Sequence, residues 1–559
     1  MPKFWHKLFF VSNSLRRPFN LSVKLPGYST LILQISLSFA ITSKYKFVVV
    51  KTFGSAVYGI EATTITVEVN IVAGTKFFIV GLPDNAIKES YFRIDSALRN
   101  CDYRMPRQQV VVNMAPADIR KEGSAYDLTI ATAVLASSGQ IKPEDLDKYI
   151  IMGELSLDGS LQPIKGALPI AIQARKEKFK GFILPKQNAR EAAIVSDLEV
   201  YGVGSITDVV NFFNDTSELK REIVNTREEF YNSVNNYDSD FSEVRGQENI
   251  KRALEIAAAG GHNVILIGPP GAGKTMLARR LPSILPPLSL QESLETTKIH
   301  SVAGKLAATD ALVTVRPFRS PHHTISDVAL VGGGTNPQPG EISLAHNGVL
   351  FLDELPEFKR AVLEVMRQPL EERRVTISRA RMSVDYPSSF MLIASMNPCP
   401  CGYYNHPEKN CICPPGVVQK YLSKISGPLL DRIDLHVEVT PVNFNELSSD
   451  RLSEKSELVR ERVIKARDIQ IARFGDEGGI HNNAQMSTKM VRDICKIDAA
   501  GQTLLKKAME KLGLSARAYD RILKVSRTIA DLAGSDNIEL EHLAEAIHYR
   551  SLDRENWAG

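Results

Sequence analysis

The sequence predicts an α/β protein of three parts: an α+β domain at the front, a central α/β domain with a phosphate-binding loop, and a helical C-terminal region. Apolar and polar residues alternate over 64–71, which is the period of a half-buried strand. An apolar run, a Gly-rich turn and a helical pattern follow one another over 263–281. Beyond residue 441 the patterns are those of charged helices. At 559 residues the chain is too long for a single core, so several domains are expected.

The front domain, over 49–213, contains both strand and helix patterns. Strands are predicted at 64–71, 76–80, 109–113, 149–157 and 181–184, and helices at 84–100, 127–137 and 168–177, with Gly and Pro between them. Residues 214–240 are polar with few apolar positions. We interpret them as a linker that is partly helical.

The central domain, over 241–441, opens with a phosphate-binding motif. After an apolar strand the chain has the pattern G-x-x-x-x-G-K-T, formed by Gly268, Pro269, Pro270, Gly271, Ala272, Gly273, Lys274 and Thr275. In such a loop, backbone N–H groups point at the phosphates, the lysine reaches the β- and γ-phosphates, and the hydroxyl binds Mg²⁺. The sequence therefore predicts ATP and Mg²⁺ as cofactors and hydrolysis as the reaction.

Two further apolar strands end in polar residues that would complete this site. One run precedes Asp353 and Glu354, and another precedes Asn397. The carboxyl ends of parallel strands meet at one edge of a sheet, so these groups should face the phosphates. We expect Asp353 to hold Mg²⁺ through water, Glu354 to polarise the attacking water and Asn397 to sense the γ-phosphate. For Asn397 the alternative is a turn-forming asparagine before Pro398.

Helical patterns fill the region from 442 to 559. Helices are predicted at 446–474, 489–512, 517–534 and 539–550, with Ser487 and Ser515 as N-caps. This arrangement is the one expected of a helical lid on a nucleotide-binding domain.

The first 48 residues do not fit this plan. Residues 1–50 contain no Asp or Glu, and an apolar run spans 30–41. A signal peptide has such features, but an exported ATPase would lack its fuel and no small-x-small cleavage site follows. We expect a mis-assigned extension over 1–48, with the true start near Val48 to Val50. Peptides from residues 1–45 in the cellular protein would contradict this.

Several longer motifs carry a resemblance to a known family. They are GGG at 332–334, PGEISLAH at 339–346, DELPEF at 353–358, NPCPCG at 397–402 and LLDRIDL at 429–435. Together they resemble the Mg-chelatase-like branch of AAA+ ATPases and, within it, the ComM/YifB family, over nearly all of the chain from Val49. The resemblance implies that 241–441 is an AAA+ domain.

Two arginine roles follow from the resemblance alone. Arg432 matches the arginine finger that enters the neighbouring subunit's site, and Arg517 matches the sensor arginine of the lid. A fixed guanidinium suits a phosphoryl-transfer transition state, where a finger contributes on the order of 10³ to 10⁵ in rate. If Arg432 acts on its neighbour, the working unit is a ring, and we expect a homo-hexamer. The alternative for each is an ordinary surface or helix-face arginine.

A basic hairpin is the candidate DNA contact. Apolar residues alternate around 378–381, which predicts a β-hairpin with Arg379 and Arg381 at its tip. In related ring helicases an insert at this place points into the central pore. We therefore expect Arg379 and Arg381 to bind phosphates without reading sequence, although a solvated charged turn is the alternative. Residues 316–324 form a second basic stretch.

Four of the six cysteines lie in one loop at 397–415. Cys399, Cys401, Cys411 and Cys413 are enough for a tetrahedral Zn²⁺ site, which would be structural because four thiolates leave no open position. Their C-x-C spacing differs from the usual C-x-x-C, so reduced thiols that fill the loop are the alternative. Crowded cysteines beside an ATP site favour a reducing, cytoplasmic location. We do not expect the paired histidines in 316–324 to bind metal.

The front domain resembles the proteolytic, S5-type domain of Lon but lacks its catalytic pair. Ala125 stands at the position of the nucleophilic serine, and Leu168 stands where the catalytic lysine would be. Ser124 and Lys165 are the neighbouring residues that would have to substitute, and a nucleophile and its base must meet closely. We predict a domain without peptidase chemistry that supports the ring or engages DNA.

Composition limits the function only weakly. A net charge of +4 neither requires nor excludes nucleic acid, and no run of eighteen apolar residues supports a membrane span. Members of the resembled family are implicated in natural transformation, where they drive branch migration. We therefore expect an ATP-hydrolysing hexameric motor on branched or single-stranded DNA. The alternatives are a chelatase-like subunit, and an unfoldase or regulatory ATPase that acts on a protein client.

Overall fold

The structure is a computed structural model. It describes residues 49–233, 237, 239–334, 336–379, 382–404, 406, 408–414, 416–441, 453–475 and 479–550. The predicted extension over 1–48, Arg381 and the predicted start of the lid before residue 453 lie outside these residues. Among the described helices, none has both the length and the apolarity that crossing a bilayer requires.

The front domain is a mixed sheet with helices packed against it. Its strands are β1 (Val50–Tyr58), β2 (Glu61–Val72), β3 (Phe77–Val80), β4 (Gln109–Ala115), β5 (Tyr149–Ile151), β6 (Glu154–Leu155), β7 (Leu161–Gln162), β8 (Gly181–Pro185), β9 (Glu199–Val203) and β10 (Arg221–Glu222). Its helices are α1 (Asn85–Lys88), α2 (Ser90–Asn100), α3 (Asp127–Ser137), α4 (Ala167–Lys176), α5 (Lys186–Ala192), α6 (Ile206–Phe213) and α7 (Thr226–Ser233). The main sheet has the order β10-β9-β8-β5-β1-β2-β4-β3. The alternation predicted for β2 is confirmed, because Ile65, Val67 and Val69 are buried.

The segment 214–240 is more than the linker that its composition predicts. β10 pairs with β9 at the edge of the front sheet, and α7 places Phe230 in the front-domain core. The Thr226 hydroxyl donates to the Ile194 carbonyl at 3.0 Å. The polar composition concealed this packing, because an edge strand is joined through its backbone and needs few apolar side chains.

The central domain is built on a parallel sheet. Its strands are β11 (Val264–Ile267), β12 (Phe318–Arg319), β13 (Gly332–Gly333), β14 (Gln338–Pro339), β15 (Val349–Leu352), β16 (Arg374–Arg379), β17 (Met382–Pro387), β18 (Met391–Met396) and β19 (Leu435–Glu438). Its helices are α8 (Glu248–Gly260), α9 (Lys274–Arg280), α10 (Leu290–Ala303), α11 (Asp327–Val331), α12 (Glu341–Leu344), α13 (Arg360–Glu364), α14 (Arg367–Glu372), α15 (Val417–Leu422) and α16 (Gly427–Leu430).

The order of the parallel strands determines where the predicted phosphate-binding residues lie in the sheet. The sheet runs β12-β15-β18-β11-β19, and each neighbouring pair is parallel. Every residue of β11, β15 and β18 is buried, as expected for strands that are covered on both faces. The carboxyl ends of these three strands therefore meet at one edge of the sheet.

The C-terminal region is helical. Its described helices are α17 (Ser456–Phe474), α18 (Thr488–Ile494), α19 (Ala499–Leu512), α20 (Ala516–Ala533) and α21 (Leu540–His548). Ser487 and Ser515 are N-caps, as predicted. The single helix predicted over 489–512 is instead two helices, because Asp498 caps a new helix by accepting a hydrogen bond from the Gly501 N–H at 2.7 Å.

Two of the contacts between the front and central domains bear on the position of the hairpin and of α10. Helix α4 contacts α10, where the Gly166 N–H donates to the Ser301 carbonyl at 3.1 Å. The turn between β1 and β2 places Ile60 against the apolar core beneath the hairpin of β16 and β17. A Cβ added to Gly59, in the same turn, would lie 2.9 Å from Val384. The base of this hairpin is therefore covered by the front domain.

Candidate functional site

The phosphate-binding loop joins β11 to α9 at the carboxyl edge of the parallel sheet. Gly271 and Gly273 have φ angles of 79° and 83°, in the left-handed region that glycine adopts without strain. A Cβ added at either position would meet no atom within 4 Å, so the backbone conformation, and not a shortage of space, favours glycine there. The loop runs directly into the N-terminus of α9, where the helix dipole favours a phosphate group.

Lys274 connects this loop to the end of β18. Its Nζ donates to the carbonyls of Gly268 and Pro269, at 2.7 and 2.9 Å, and to Oδ1 of Asn397 at 3.2 Å. Burial lowers the pKa of Lys274, while the nearby Asp353 carboxylate opposes that shift. A phosphate bound in the loop would supply a better partner for the ammonium group than neutral carbonyls.

Thr275 and Asp353 form the pair that fits Mg²⁺. The Thr275 hydroxyl donates to Asp353 Oδ2 at 2.8 Å. Asp353 Oδ1 accepts hydrogen bonds from the Ser395 hydroxyl and from the Glu354 N–H. Hydroxyl and carboxylate oxygens are the hard ligands that Mg²⁺ prefers. Ser395 was not predicted; it lies near the end of β18, two residues before Asn397, which directly follows the strand.

Glu354 stands at the mouth of the site in a rare backbone conformation. Its φ is 54°, which few residues other than glycine adopt and which clusters at functional sites. Its side chain is 56 % exposed, and its carboxylate lies 3.5 Å from Nδ1 of His323. The His323 ring packs at 4.1 Å from the His322 ring. The sequence predicts only that these histidines do not bind metal, and the contact of His323 with the candidate catalytic carboxylate was missed.

Arg432 is buried within the folded chain, whereas an arginine finger has to project from the surface. Its side chain is 6 % exposed, and its guanidinium donates to the Glu371 carboxylate and the Pro428 carbonyl. Its Nε has no hydrogen-bond partner in the described part of the chain. Glu371, its carboxylate partner, is about half exposed.

Arg517 lies beside the loop that carries Arg432. Its Nη1 is 3.5 Å from the carboxylate of Asp431, and its side chain is 61 % exposed. The two predicted arginines therefore lie in the same region of the chain, one buried and one exposed.

A buried ion pair fixes this same loop to the lid. Asp434 is 1 % exposed and accepts hydrogen bonds from Arg521 at 2.7 Å and from the Asn263 N–H at 2.9 Å. Burial alone would raise the pKa of Asp434, but the Arg521 guanidinium and the hydrogen bonds from His262 and Asn263 hold it below its usual range. Since Arg521 belongs to α20, the loop of Arg432 and the lid are held together.

Comparison with known proteins identifies the family. Models described as magnesium chelatase subunit ChlI match residues 67–188, 240–447 and, for its C-terminal part, 453–550. The chain is 44 % identical to the competence protein ComM of Haemophilus influenzae over 506 residues, which cover 90 % of this chain and 97 % of that protein. It is 42 % identical to YifB of Escherichia coli over 501 residues, which cover 89 % and 96 %. The chain belongs to the ComM/YifB family.

The predicted fold class of this ComM/YifB protein is confirmed. A stretch of 157 residues is 32 % identical to Lon protease 2 of Bacillus subtilis, covering 26 % of this chain and 27 % of the protease. The Lon-like similarity therefore accompanies a Mg-chelatase-like AAA+ region with its parallel sheet and helical C-terminus. Membership of this AAA+ family indicates an ATPase that uses ATP and Mg²⁺.

The hairpin predicted for the ComM/YifB protein is present. β16 and β17 pair antiparallel, and Val375 and Ile377 are buried beneath them. Arg379 is exposed near the tip, where its Nε donates to the Gly334 carbonyl at 3.3 Å. Arg381 lies outside the described residues. Of the two arginines, Arg379 is therefore the one that the structure shows at the surface.

The two arginines of the second basic stretch, 316–324, are paired with carboxylates of the same chain. Arg316 pairs with Glu292 at 3.3 Å, and Arg319 pairs with Glu341 at 2.6 Å. These arginines hold the insert against the sheet, so the stretch offers less positive charge to a polyanion than its sequence indicates.

The four clustered cysteines of the ComM/YifB protein come together as free thiols. The Sγ atom of Cys399 lies 3.3 Å from that of Cys401 and 3.7 Å from that of Cys411, and the last two are 3.6 Å apart. With Cys413 included, all four Sγ atoms lie within 4.8 Å of one another. The C-x-C spacing therefore brings the thiols together.

In the front domain, Ser124 and Lys165 each contact a different partner. The Ser124 hydroxyl donates to the Glu154 carboxylate. The Lys165 side chain lies against Gly304, directly after α10, where an added Cβ would be 3.0 Å from its Cε. Leu168 is buried. Ser124 and Lys165 both line a cavity of about 430 Å³ between the front and central domains. The partner that the structure shows for the Ser124 hydroxyl is therefore a carboxylate.

Proposed function

We propose that this ComM/YifB protein is a hexameric ATP-driven motor that migrates branches in recombining DNA during natural transformation. One observation carries the ATPase part: Lys274, Thr275, Asp353 and Asn397 meet through hydrogen bonds at one sheet edge. The similarity over nine-tenths of the chain to a protein named for competence supports the DNA part. A cytoplasmic location goes with this proposal, because ATP and recombining DNA are found there.

Each residue of the site then has a definite task. The loop over 268–275 cradles the phosphates, and Lys274 pairs with them. Thr275 and Asp353 hold Mg²⁺, which when bound neutralises charge on the β- and γ-phosphates. Glu354 accepts a hydrogen bond from the attacking water and so orients it. Asn397, which Lys274 already contacts, places the γ-phosphate.

Two neighbouring contacts support the catalytic carboxylate. His323 lies within 3.5 Å of Glu354 and would restrict the orientation of a side chain that is otherwise exposed. The left-handed backbone of Glu354 fixes the direction in which its side chain leaves the strand end. Both features position Glu354 before any water binds.

Arg432 and Arg517 would complete the site of the next subunit. Arg432 matches the family's finger, but in the single subunit it is paired with Glu371. We propose that ring assembly separates this pair and turns the guanidinium toward the neighbour's γ-phosphate. Because Asp434 ties the same loop to α20, the finger would move with the lid.

The hairpin of β16 and β17 is the proposed DNA contact. Arg379 lies exposed near the tip of the hairpin, and Arg381, the second arginine of the proposal, lies outside the described residues. Arginine contacts to phosphate are independent of base sequence, which suits a motor that must act on any recombining DNA.

The proposal is tested by ATP-dependent migration of labelled three-way and four-way DNA junctions with the purified full-length chain. The matched control is Glu354→Gln, which should bind ATP but neither hydrolyse it nor migrate junctions. Migration by the wild type alone would support the motor. If rings form with ATP but neither migration nor DNA-stimulated ATPase is seen, the DNA proposal fails. Stimulation of the ATPase by unfolded protein would then indicate a protein client.

A further inference from the structure

We propose that Cys399, Cys401, Cys411 and Cys413 bind one structural zinc ion, and that the loop closed by this ion supports the phosphate-binding loop. Four sulfurs that lie about 2.3 Å from a central ion in a tetrahedron are about 3.8 Å from one another. Three of the Sγ separations are 3.3, 3.6 and 3.7 Å. The thiols are therefore already arranged almost as the ion requires.

The donor set identifies the kind of metal and its role. Four thiolates are soft ligands and select zinc over the hard cation of the ATP site. With four protein ligands no position stays open for water, so the ion stabilises the loop and takes no part in hydrolysis. A disulfide is the competing product of clustered thiols, but its sulfurs lie about 2.05 Å apart, well below the shortest separation of 3.3 Å seen here.

The cysteine loop touches the nucleotide site at two points. It starts directly after Asn397, which accepts a hydrogen bond from Lys274. Further along, the Gly402 N–H donates to the Cys399 carbonyl at 3.0 Å, and this turn rests on the phosphate-binding loop. A Cβ added to Gly402 would lie 2.6 Å from Cδ of Pro270, so the contact requires glycine.

Zinc would act on ATP binding through these two contacts. An ion that holds Cys399 in place would also restrain Asn397, which follows β18, and the turn at Gly402, which packs against Pro270. The loop at 268–273 would then already have its phosphate-binding conformation before ATP binds. Less conformational entropy would be lost on binding, so the affinity for ATP would be higher. This coupling rests on the ATP site proposed above, whereas the zinc site itself does not.

The first experiment counts zinc in the full-length chain purified in metal-clean buffers without chelator. We expect about one zinc per chain. Cys411→Ser and Cys413→Ser should lose the ion, and Cys101→Ser, which changes a cysteine of the front domain, should retain it. A ratio near zero in the wild type, or full retention in both loop variants, would overturn the proposal. Since the loop variants could misfold, Co²⁺ is also added to zinc-depleted wild type, which must then develop thiolate-to-cobalt absorption.

The second experiment separates the contact from the metal. Gly402→Ala keeps all four thiols but pushes the turn against Pro270. Its control is Gly416→Ala, which introduces the same residue at a similar φ of 77° where no atom lies within 4 Å. We expect Gly402→Ala to retain zinc and to bind a fluorescent ATP analogue about tenfold more weakly, the effect of freeing roughly one residue of the loop. Gly416→Ala should bind the analogue like the wild type.

The outcomes of the second experiment are distinct. If Gly402→Ala binds the analogue like the wild type, the coupling is refuted and the zinc site stands on the metal count alone. If the wild type itself binds no ATP analogue, the proposed function fails, and the metal count is unaffected.

Discussion

Replacement of Asp434 by asparagine should loosen the joint between the central sheet and the lid. The carboxylate is 1 % exposed and pairs at 2.7 Å with Arg521, whose own side chain is 22 % exposed. Removing one partner of a buried ion pair costs about 3–5 kcal/mol, because the other charge is left without compensation. Arg521 retains some contact with water, so we expect the lower end, about 3 kcal/mol.

The effect of pH on this pair has a definite sign. The pKa of Asp434 is lower in the folded chain than in the unfolded chain, so the folded state binds fewer protons there. Its contribution to stability is therefore fully present above the unfolded pKa of about 3.9 and is lost as pH falls through the folded pKa. The difference between wild type and Asp434→Asn should be constant from about pH 5 to pH 8 and shrink only in stronger acid.

Thermal unfolding of both chains, followed by circular dichroism at several pH values, measures this difference. A loss of about 3 kcal/mol corresponds to a decrease in Tm of about 6–12 °C for a cooperative unit of 150–250 residues. Arg517→Gln is the control, because it breaks an exposed pair of 3.5 Å that is worth about 0–1 kcal/mol. If Asp434→Asn unfolds at the same temperature as Arg517→Gln, the lid is not held by this ion pair.

The remaining predictions concern catalysis and DNA. His323→Ala should lower ATP turnover about two- to fivefold with unchanged ATP affinity, which corresponds to the loss of an exposed contact worth up to about 1 kcal/mol. An unchanged kcat would show that His323 does not position the carboxylate. Rings of Arg432→Ala alone and of Glu354→Gln alone should be inactive, but co-assembled rings should regain part of the ATPase activity, since some sites then combine an intact carboxylate with an intact finger. Co-assembled rings without activity would place the role of Arg432 in its own subunit. Arg379→Ala should weaken DNA binding and reduce its salt dependence by about one phosphate contact, whereas Arg374→Ala, at the hairpin base, should change neither; equal salt slopes for Arg379→Ala and wild type would contradict the contact.

Local patterns were enough to predict much of the architecture. The strict alternation around Ile65 and the continuous apolar runs before Gly268 and Asp353 report directly which faces of a strand are buried. The hairpin around Arg379 and the caps at Ser515 follow from equally local rules. These features depend on neighbours in the sequence, which is why they can be read without a structure.

What the sequence did not predict depends on contacts between distant segments. His323 belongs to an insert and reaches Glu354 only because β12 and β15 are adjacent in the sheet. The pairing of Arg432 with Glu371 likewise joins a loop to helix α14, and no periodicity in the sequence connects these two segments. The strand β10 was not predicted, because an edge strand is held by backbone hydrogen bonds and needs few apolar side chains that a composition would show. Roles such as that of the arginine finger were expected from the family resemblance. The burial and contacts of these arginines could be seen only in the structure.

The turn between β1 and β2 also decides how the protein can be divided. Ile60 and Gly59 lie against the apolar base of the hairpin, next to Val384. A protease that removed the front domain would uncover this apolar surface, and exposed apolar patches on an isolated fragment promote self-association. The ATPase region therefore depends on the front domain to cover part of its apolar surface. A fragment that begins at residue 241 should aggregate and precipitate under conditions in which the whole chain stays in solution.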